Sequence, residues 1–213
     1  MDPHAPKSQF RTQLPHDPSH VVGIGASAGG LTPLRALLHR FTADKTAFVV
    51  VMHLTPDRES SLTSILAKST TMTVATATDG MVLERNHIYV IPPGFVLRLS
   101  DEGTLLMTAL PKTYPRWTID KFLCSLGEIG PAAIGVILSG TGSDGSDGLK
   151  QIREQGGTTF VQDPASAQSP EMPQSARRFA DYCLAPDALG DALMRTIGAT
   201  PKPASAEAGE GAR

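Results

Sequence analysis

Short apolar runs rich in β-branched residues alternate along this chain with segments of helical spacing. Val21–Gly25, Ala47–Met52, Ala133–Leu138 and Thr158–Val161 have the length and composition of strands. Leu31–Arg40, Ser61–Ser69, Ile119–Gly127 and Gly145–Gln155 carry apolar residues at helical intervals. Such alternation implies a parallel sheet joined by crossover helices. The middle of the chain breaks the pattern. There His87–Ile91, Val96–Leu99 and Thr104–Met107 are separated by the turn signals Pro92-Pro93-Gly94 and Asp101-Glu102-Gly103, so an antiparallel insertion is expected around His87 to Met107. The expected fold is α/β: an open, mostly parallel, doubly wound Rossmann-like sheet with an inserted antiparallel β-hairpin.

With 213 residues, 40% hydrophobic and 19% charged, the chain can bury one sizeable core, and a single domain is expected over residues 20–199. Residues 1–19, rich in Pro, His, Ser and Gln, read as a flexible leader, and residues 200–213, dominated by Pro, Ala, Glu and Gly, as a disordered tail. A net charge of −2 offers no basic field for nucleic acid or for an anionic membrane surface. No stretch approaches the roughly 18 apolar residues of a membrane span, and the N-terminus lacks the apolar core of a signal peptide. Cys124 and Cys183 lie far apart and outside any ligand spacing, which indicates neither a zinc site nor a disulfide framework and fits a reducing cytoplasm.

The chemistry concentrates where strands end. Gly25-Ala26-Ser27-Ala28-Gly29 is a G-x-S-x-G between a strand pattern and a helix pattern, a context in which a serine can sit on a tight, exposed elbow. Gly-rich turns of this kind also bind phosphate at the helix N-terminus, so a base and an orienting acid must be found before a nucleophile is inferred. His53 follows the strand Phe48-Val49-Val50-Val51-Met52 and would emerge at the same carboxyl edge of the sheet as Ser27, where ligands collect in open α/β folds. The other histidines, at positions 4, 16, 20, 39 and 87, lie in the leader, at a helix end or at the start of an insertion strand. Asp144 stands in Ser139-Gly140-Thr141-Gly142-Ser143-Asp144-Gly145, after the strand Ile134-Gly135-Val136-Ile137-Leu138, in a loop whose glycines could expose N–H groups to an oxyanion. A simpler role for Asp144 is to cap the helix starting near Gly145, and Asp147 is a second carboxylate that spacing alone leaves open.

Ser27, His53 and Asp144 thus occur in the order Ser, His, Asp, unlike the order Ser, Asp, His of α/β-hydrolases. Gly23-Ile24-Gly25-Ala26-Ser27-Ala28-Gly29-Gly30, Val49-Val50-Val51-Met52-His53-Leu54-Thr55-Pro56-Asp57 and Gly135-Val136-Ile137-Leu138-Ser139-Gly140-Thr141-Gly142-Ser143-Asp144-Gly145 together resemble the catalytic domain of the bacterial chemotaxis protein-glutamate methylesterase. Asp79-Gly80-Met81, His87-Ile88-Tyr89-Val90-Ile91-Pro92-Pro93-Gly94, Gln162-Asp163-Pro164 and Met172-Pro173 extend the likeness over about Val21 to Leu189. The resemblance implies hydrolysis of glutamyl methyl esters, and deamidation of glutamines, on the cytoplasmic helices of methyl-accepting chemotaxis receptors. It implies Ser27 as nucleophile, His53 as base and Asp144 as the group that orients it, with no metal or organic cofactor. The backbone N–H groups of Ala28 and Thr141 are the oxyanion donors it suggests.

Departures from the family pattern sit at those two positions. The family often has threonine where this chain has Ala28 and methionine where it has Thr141; the same alanine and threonine recur in a branch joined to methyltransferase domains. The stretch before Val21 is too short for the receiver domain that usually precedes the enzyme, so the expectation is a stand-alone enzyme, an excised fragment or a form governed by a partner, for which a separate receiver or methyltransferase protein is the class implied. Two other readings remain at this stage: a catalytically silent binding module of the same fold, and a nucleotide-binding Rossmann domain. The second lacks the acidic residue expected at the end of its second strand, where His53 stands. Arg116 and Trp117 are candidates for the rim of the site, although a lone Trp is more often core or half-buried packing, and Met172-Pro173 for a covering loop, although Pro in a helix first turn accounts for it equally.

Overall fold

The computed structural model of the protein describes residues 17–41, 45–53, 59–110 and 117–198. In chain order the elements are β1 (His20–Ala26), α1 (Leu31–His39), β2 (Thr46–Met52), α2 (Glu59–Ala67), β3 (Thr73–Thr76), β4 (His87–Val90), β5 (Phe95–Leu99), β6 (Leu105–Ala109), α3 (Thr118–Gly127), β7 (Ala133–Ile137), α4 (Ser146–Glu154), β8 (Thr158–Gln162), α5 (Glu171–Ala176), β9 (Tyr182–Leu184) and α6 (Pro186–Ile197). Among the described residues seven strands form one parallel sheet in the order β3-β4-β2-β1-β7-β8-β9. From β1 the chain builds outward through β2, then returns to β7 on the other side of β1. The topological switch point therefore lies between β1 and β7, and the crevice beyond the carboxyl ends of these strands is the favoured ligand position.

The central strands are apolar on both faces because both faces are covered. On β1 and β2, Val22, Ile24, Phe48 and Val50 pack with Leu34, Leu37 and Leu38 of α1 and Leu189 and Leu193 of α6. Val21, Ala47, Val49 and Val51 face the opposite way, toward Ile119, Phe122, Leu123 and Leu126 of α3. Gly23 and Gly25 belong to that second face. A Cβ at Gly23 would stand 2.6 Å from a methyl of Leu123, and one at Gly25 would collide with Ile119. The glycines bring α3 close to β1, and each large side chain buried between them contributes on the order of 1.5–3 kcal/mol.

The antiparallel insertion is smaller than expected. β5 and β6 form a two-stranded antiparallel hairpin, Phe95 opposite Ala109 through Leu99 opposite Leu105. β4, read from the sequence as the first strand of the insertion, instead runs parallel between β2 and β3. Turn residues at 92–94 end β4 correctly, but a turn signal carries no strand direction. Helix α6 was not anticipated, although Pro186 at its start and a left-handed Gly198 (φ 69°) after its last turn are the usual boundary signals. The proposed leader up to residue 16 and the proposed tail from residue 200 lie outside the described residues, as does Arg116.

Candidate active site

The elbow at Ser27 is tied down from three sides. The Ser27 amide donates to the Ser139 carbonyl at 3.0 Å, which joins the end of β1 to the loop after β7. The Gly30 amide donates back to the Ser27 carbonyl at 3.0 Å, and Gly29 takes φ 73°, a left-handed conformation that a side chain would strain. Gly140 provides the third restraint: a Cβ there would stand 2.8 Å from Ser27 Cβ and would collide with the sulfur of the fully buried Met172. Ser27 is half-buried at the foot of α1.

His53 continues the β1–β2 ladder by one residue, its amide donating to the Ala26 carbonyl at 3.2 Å. Its ring points across to the β7 side, where Nε2 lies 2.9 Å from Oδ2 of Asp144. The two side chains are 17% and 6% exposed, so the pair is shielded from water on most sides. Among the described residues neither Nδ1 of His53 nor the Ser27 hydroxyl has a hydrogen-bond partner. The histidine and aspartate are therefore joined, while Ser27 directly follows Ala26, whose carbonyl accepts from the His53 amide, and makes no hydrogen bond to the ring.

Asp144 does cap a helix, but not the one it precedes. The cap position of α4 is Gly145, with no side-chain bond, whereas the Asp144 carboxylate reaches the start of α3. Oδ2 accepts from the Ile119 amide at 3.0 Å and Oδ1 from the Asp120 amide at 2.8 Å. With His53 these make three N–H donors around one buried carboxylate, set at the positive end of a helix dipole. Asp147, the alternative acid, is exposed and does not reach His53.

Several supporting residues carried no distinctive signal in the sequence. The buried Ser139 hydroxyl donates to the Ala28 carbonyl at 2.8 Å and accepts from the Ser169 amide at 3.0 Å. Gln162, buried at the end of β8, accepts from the Ser139 amide through Oε1 at 2.9 Å and donates from Nε2 to the Ser166 carbonyl at 3.1 Å. Asp120 is buried in the first turn of α3 and accepts from the Gly148 amide at 2.8 Å. Burial, and then the neighbouring Asp144 carboxylate, push its carboxyl group up to about 7. Burial likewise raises the Cys124 thiol, with Asp120 adding to the effect.

The amides of Ala28 and Thr141 have no acceptor among the described residues, and both residues are exposed. Trp117, which packing considerations favour as buried, is 45% exposed. It borders a cavity of about 390 Å³ shared with Asp120, Ser146, Asp147, Gln174 and Arg178. Met172 belongs to α5, where its amide donates to the Gly140 carbonyl at 2.9 Å, so it supports the site from behind. Among the described residues no three His, Cys, Asp or Glu side chains gather into a metal site.

Fold and site together define a class: a doubly wound parallel α/β domain with a serine turn and a hydrogen-bonded histidine–aspartate pair at the carboxyl ends of its central strands. Within that class the chain belongs to the CheB methylesterase family, whose model matches residues 22–193. A protein-glutamate methylesterase/protein-glutamine glutaminase of Xanthomonas euvesicatoria is 34% identical over 173 residues, 79% of this chain and 47% of that protein. The protein-glutamate methylesterase FrzG of Myxococcus xanthus is 34% identical over 197 residues, covering 90% of this chain and 59% of FrzG. The crystal structure of the Thermotoga maritima CheB methylesterase catalytic domain superimposes with a TM-score of 0.74 at 28% identity, over 84% of this chain and 98% of that one. The chain spans about half the length of the curated relatives it matches.

Proposed function

We propose that the protein is a serine carboxylesterase that hydrolyses glutamate methyl esters on the cytoplasmic helices of methylated chemoreceptors, and that it also deamidates glutamines there. The observation that carries this reading is the His53–Asp144 hydrogen bond at 2.9 Å, held beside Ser27 in a chain of the methylesterase family. Ser27 Oγ attacks the ester carbonyl as His53 takes its proton, and the resulting imidazolium is stabilised by Asp144. Collapse of the tetrahedral intermediate expels methanol, which receives the proton from His53. Water then attacks the acyl-enzyme with His53 again as base and restores the glutamate carboxylate. The amides of Ala28 and Thr141 are the oxyanion donors in this scheme. The imidazole carries every proton this scheme moves, so no cofactor enters.

Within this proposal the protein acts in the cytoplasm, its partners being receptor helices and a separate receiver or methyltransferase protein. No helix among the described residues is long and apolar enough to cross a membrane. The test is methanol release from a methylated receptor cytoplasmic fragment by the full chain and by Ser27→Ala. Release that disappears with the hydroxyl supports the esterase. A folded wild type that releases none, and that fluorophosphonate does not label at Ser27, makes the protein a silent binding module instead.

A further inference from the structure

Asp120 is a buried carboxyl group, 8% exposed, that ester hydrolysis itself does not employ. Its surroundings tie it to the acid of the site twice over. The Asp120 amide donates to Asp144 Oδ1, and the Asp120 side chain accepts from the Gly148 amide, in the first turn of the helix that follows Asp144. Each aspartate thus caps the helix that carries or follows the other, α3 by Asp144 and α4 by Asp120. The clamp closes on both sides of Gly145, whose backbone at φ 98° would otherwise let the Asp144 loop turn.

We propose that Asp120 is a positioning residue for the catalytic set: it clamps the Asp144 loop onto α3, and its ionisation changes how firmly Asp144 holds the proton on His53. This rests on Ser27, His53 and Asp144 being the reacting groups. Among the described residues the charged neighbours of Asp120 are few. Asp144 and Asp147 face it from the loop and first turn of α4, Arg178 borders the same cavity from the turn after α5, and Lys121 and Cys124 stand on its own helix. His53 is reached through Asp144. β1, β2 and β7 offer α3 glycines and apolar side chains, and on β5 the charged Arg98 is exposed.

The cavity beside Trp117 gives the Asp120 carboxyl group access to solvent, so it can exchange its proton without opening the core. With that proton in place, the negative charge in contact with the imidazole is that of Asp144. Without it a second buried negative charge neighbours Asp144, and the imidazolium is favoured. A carboxyl group pushed up to about 7 makes this change close to neutral pH.

Titration of the histidine Cε1–H resonances by NMR in the full chain tests the idea, with the His53 signal assigned by its loss in His53→Gln. Asp120→Asn keeps an acceptor for Gly148 but cannot ionise. It is expected to move the His53 midpoint to lower pH by about half a unit or more. In methanol release, Asp120→Ala is expected to lower kcat about tenfold or more with KM within about twofold, and Asp120→Asn to recover most of that loss. A His53 midpoint that superimposes on the wild type in Asp120→Asn overturns the proposal, whether or not Asp120→Ala folds. So does an Asp120→Ala chain that folds and keeps wild-type kcat. Undiminished release by Ser27→Ala overturns the triad reading instead, and the two failures are told apart by that control.

Discussion

Nε2 of His53 and Oδ2 of Asp144 are 2.9 Å apart across 91 residues of sequence, and the same oxygen accepts from the Ile119 amide. That sharing sets the ring. In the proposed mechanism Nε2 donates to the carboxylate, which leaves the lone pair for the Ser27 proton on Nδ1, the nitrogen without a partner among the described residues.

Asp144→Asn is expected to lower kcat by about 10³–10⁴-fold with little change in KM, because an amide cannot hold the imidazole in the tautomer whose Nδ1 accepts. It also presents an NH₂ to N–H donors on one side. One of three donors then lacks an acceptor, at a cost of about 1–3 kcal/mol, or a Tm lower by about 2–10 °C. Kinetics together with thermal melts separate the two effects. A variant with kcat within tenfold of wild type would remove Asp144 from the mechanism.

Stability should fall with rising pH on account of Asp120. Its folded carboxyl group is raised from an ordinary 3.8 to about 7, so the folded state holds a proton that the unfolded chain has released. The associated stability is fully present below about pH 4 and is lost as pH rises through 7. Asp120→Asn removes this dependence. Relative to wild type it is expected to gain on the order of 2 kcal/mol between pH 5 and 8, read from urea midpoints. A constant offset between the two proteins across that range would contradict the raised value.

Much of the site was legible because strand ends in a parallel sheet share one edge. Ser27, His53 and Asp144 each follow an apolar run, and that placement needed no side-chain contacts to infer. The edge strands were not legible. Thr73–Thr76 and Tyr182–Leu184 are short and half-exposed, so they lack the apolar runs that mark β1, β2 and β7. Asp120 was hidden for another reason, since an acidic residue in a first helical turn is ordinary dipole complementation and only the fold puts it beside Asp144. Gln162 and Ser139 look like unremarkable polar residues after strands, and only their mutual hydrogen bond shows that they hold the Ser27 turn.

Ala28→Thr tests the proposed oxyanion site from the gain side. Ala28 is exposed, so a hydroxyl and methyl fit without entering the core. If the Ala28 amide faces the developing oxyanion, the added hydroxyl supplies another donor, and kcat is expected to rise severalfold, up to about tenfold. Steady-state methanol release at saturating substrate is the measurement. An unchanged or lower kcat in a protein with wild-type Tm would place the oxyanion elsewhere.

Gly140→Ala tests whether Ser27 is held by close packing. The added methyl has two neighbours, Ser27 Cβ at 2.8 Å and the sulfur of Met172, and something must move. Met172 is fully buried and its amide is bonded to the Gly140 carbonyl, which leaves its side chain little room to retreat. Overpacking of this kind costs about 1–3 kcal/mol, and a displacement of the nucleophile approaching 1 Å costs about 10²-fold in rate. Loss of kcat should therefore exceed what the fall in Tm explains, with the His53–Asp144 pair intact by NMR. Shortening the opposing side chain in Gly140→Ala/Met172→Ala makes room for the methyl, so the double variant should recover part of the rate despite a less stable core. Wild-type kcat in the single variant would mean that the Ser27 turn is set by its backbone bonds to Ser139 and Gly30 alone.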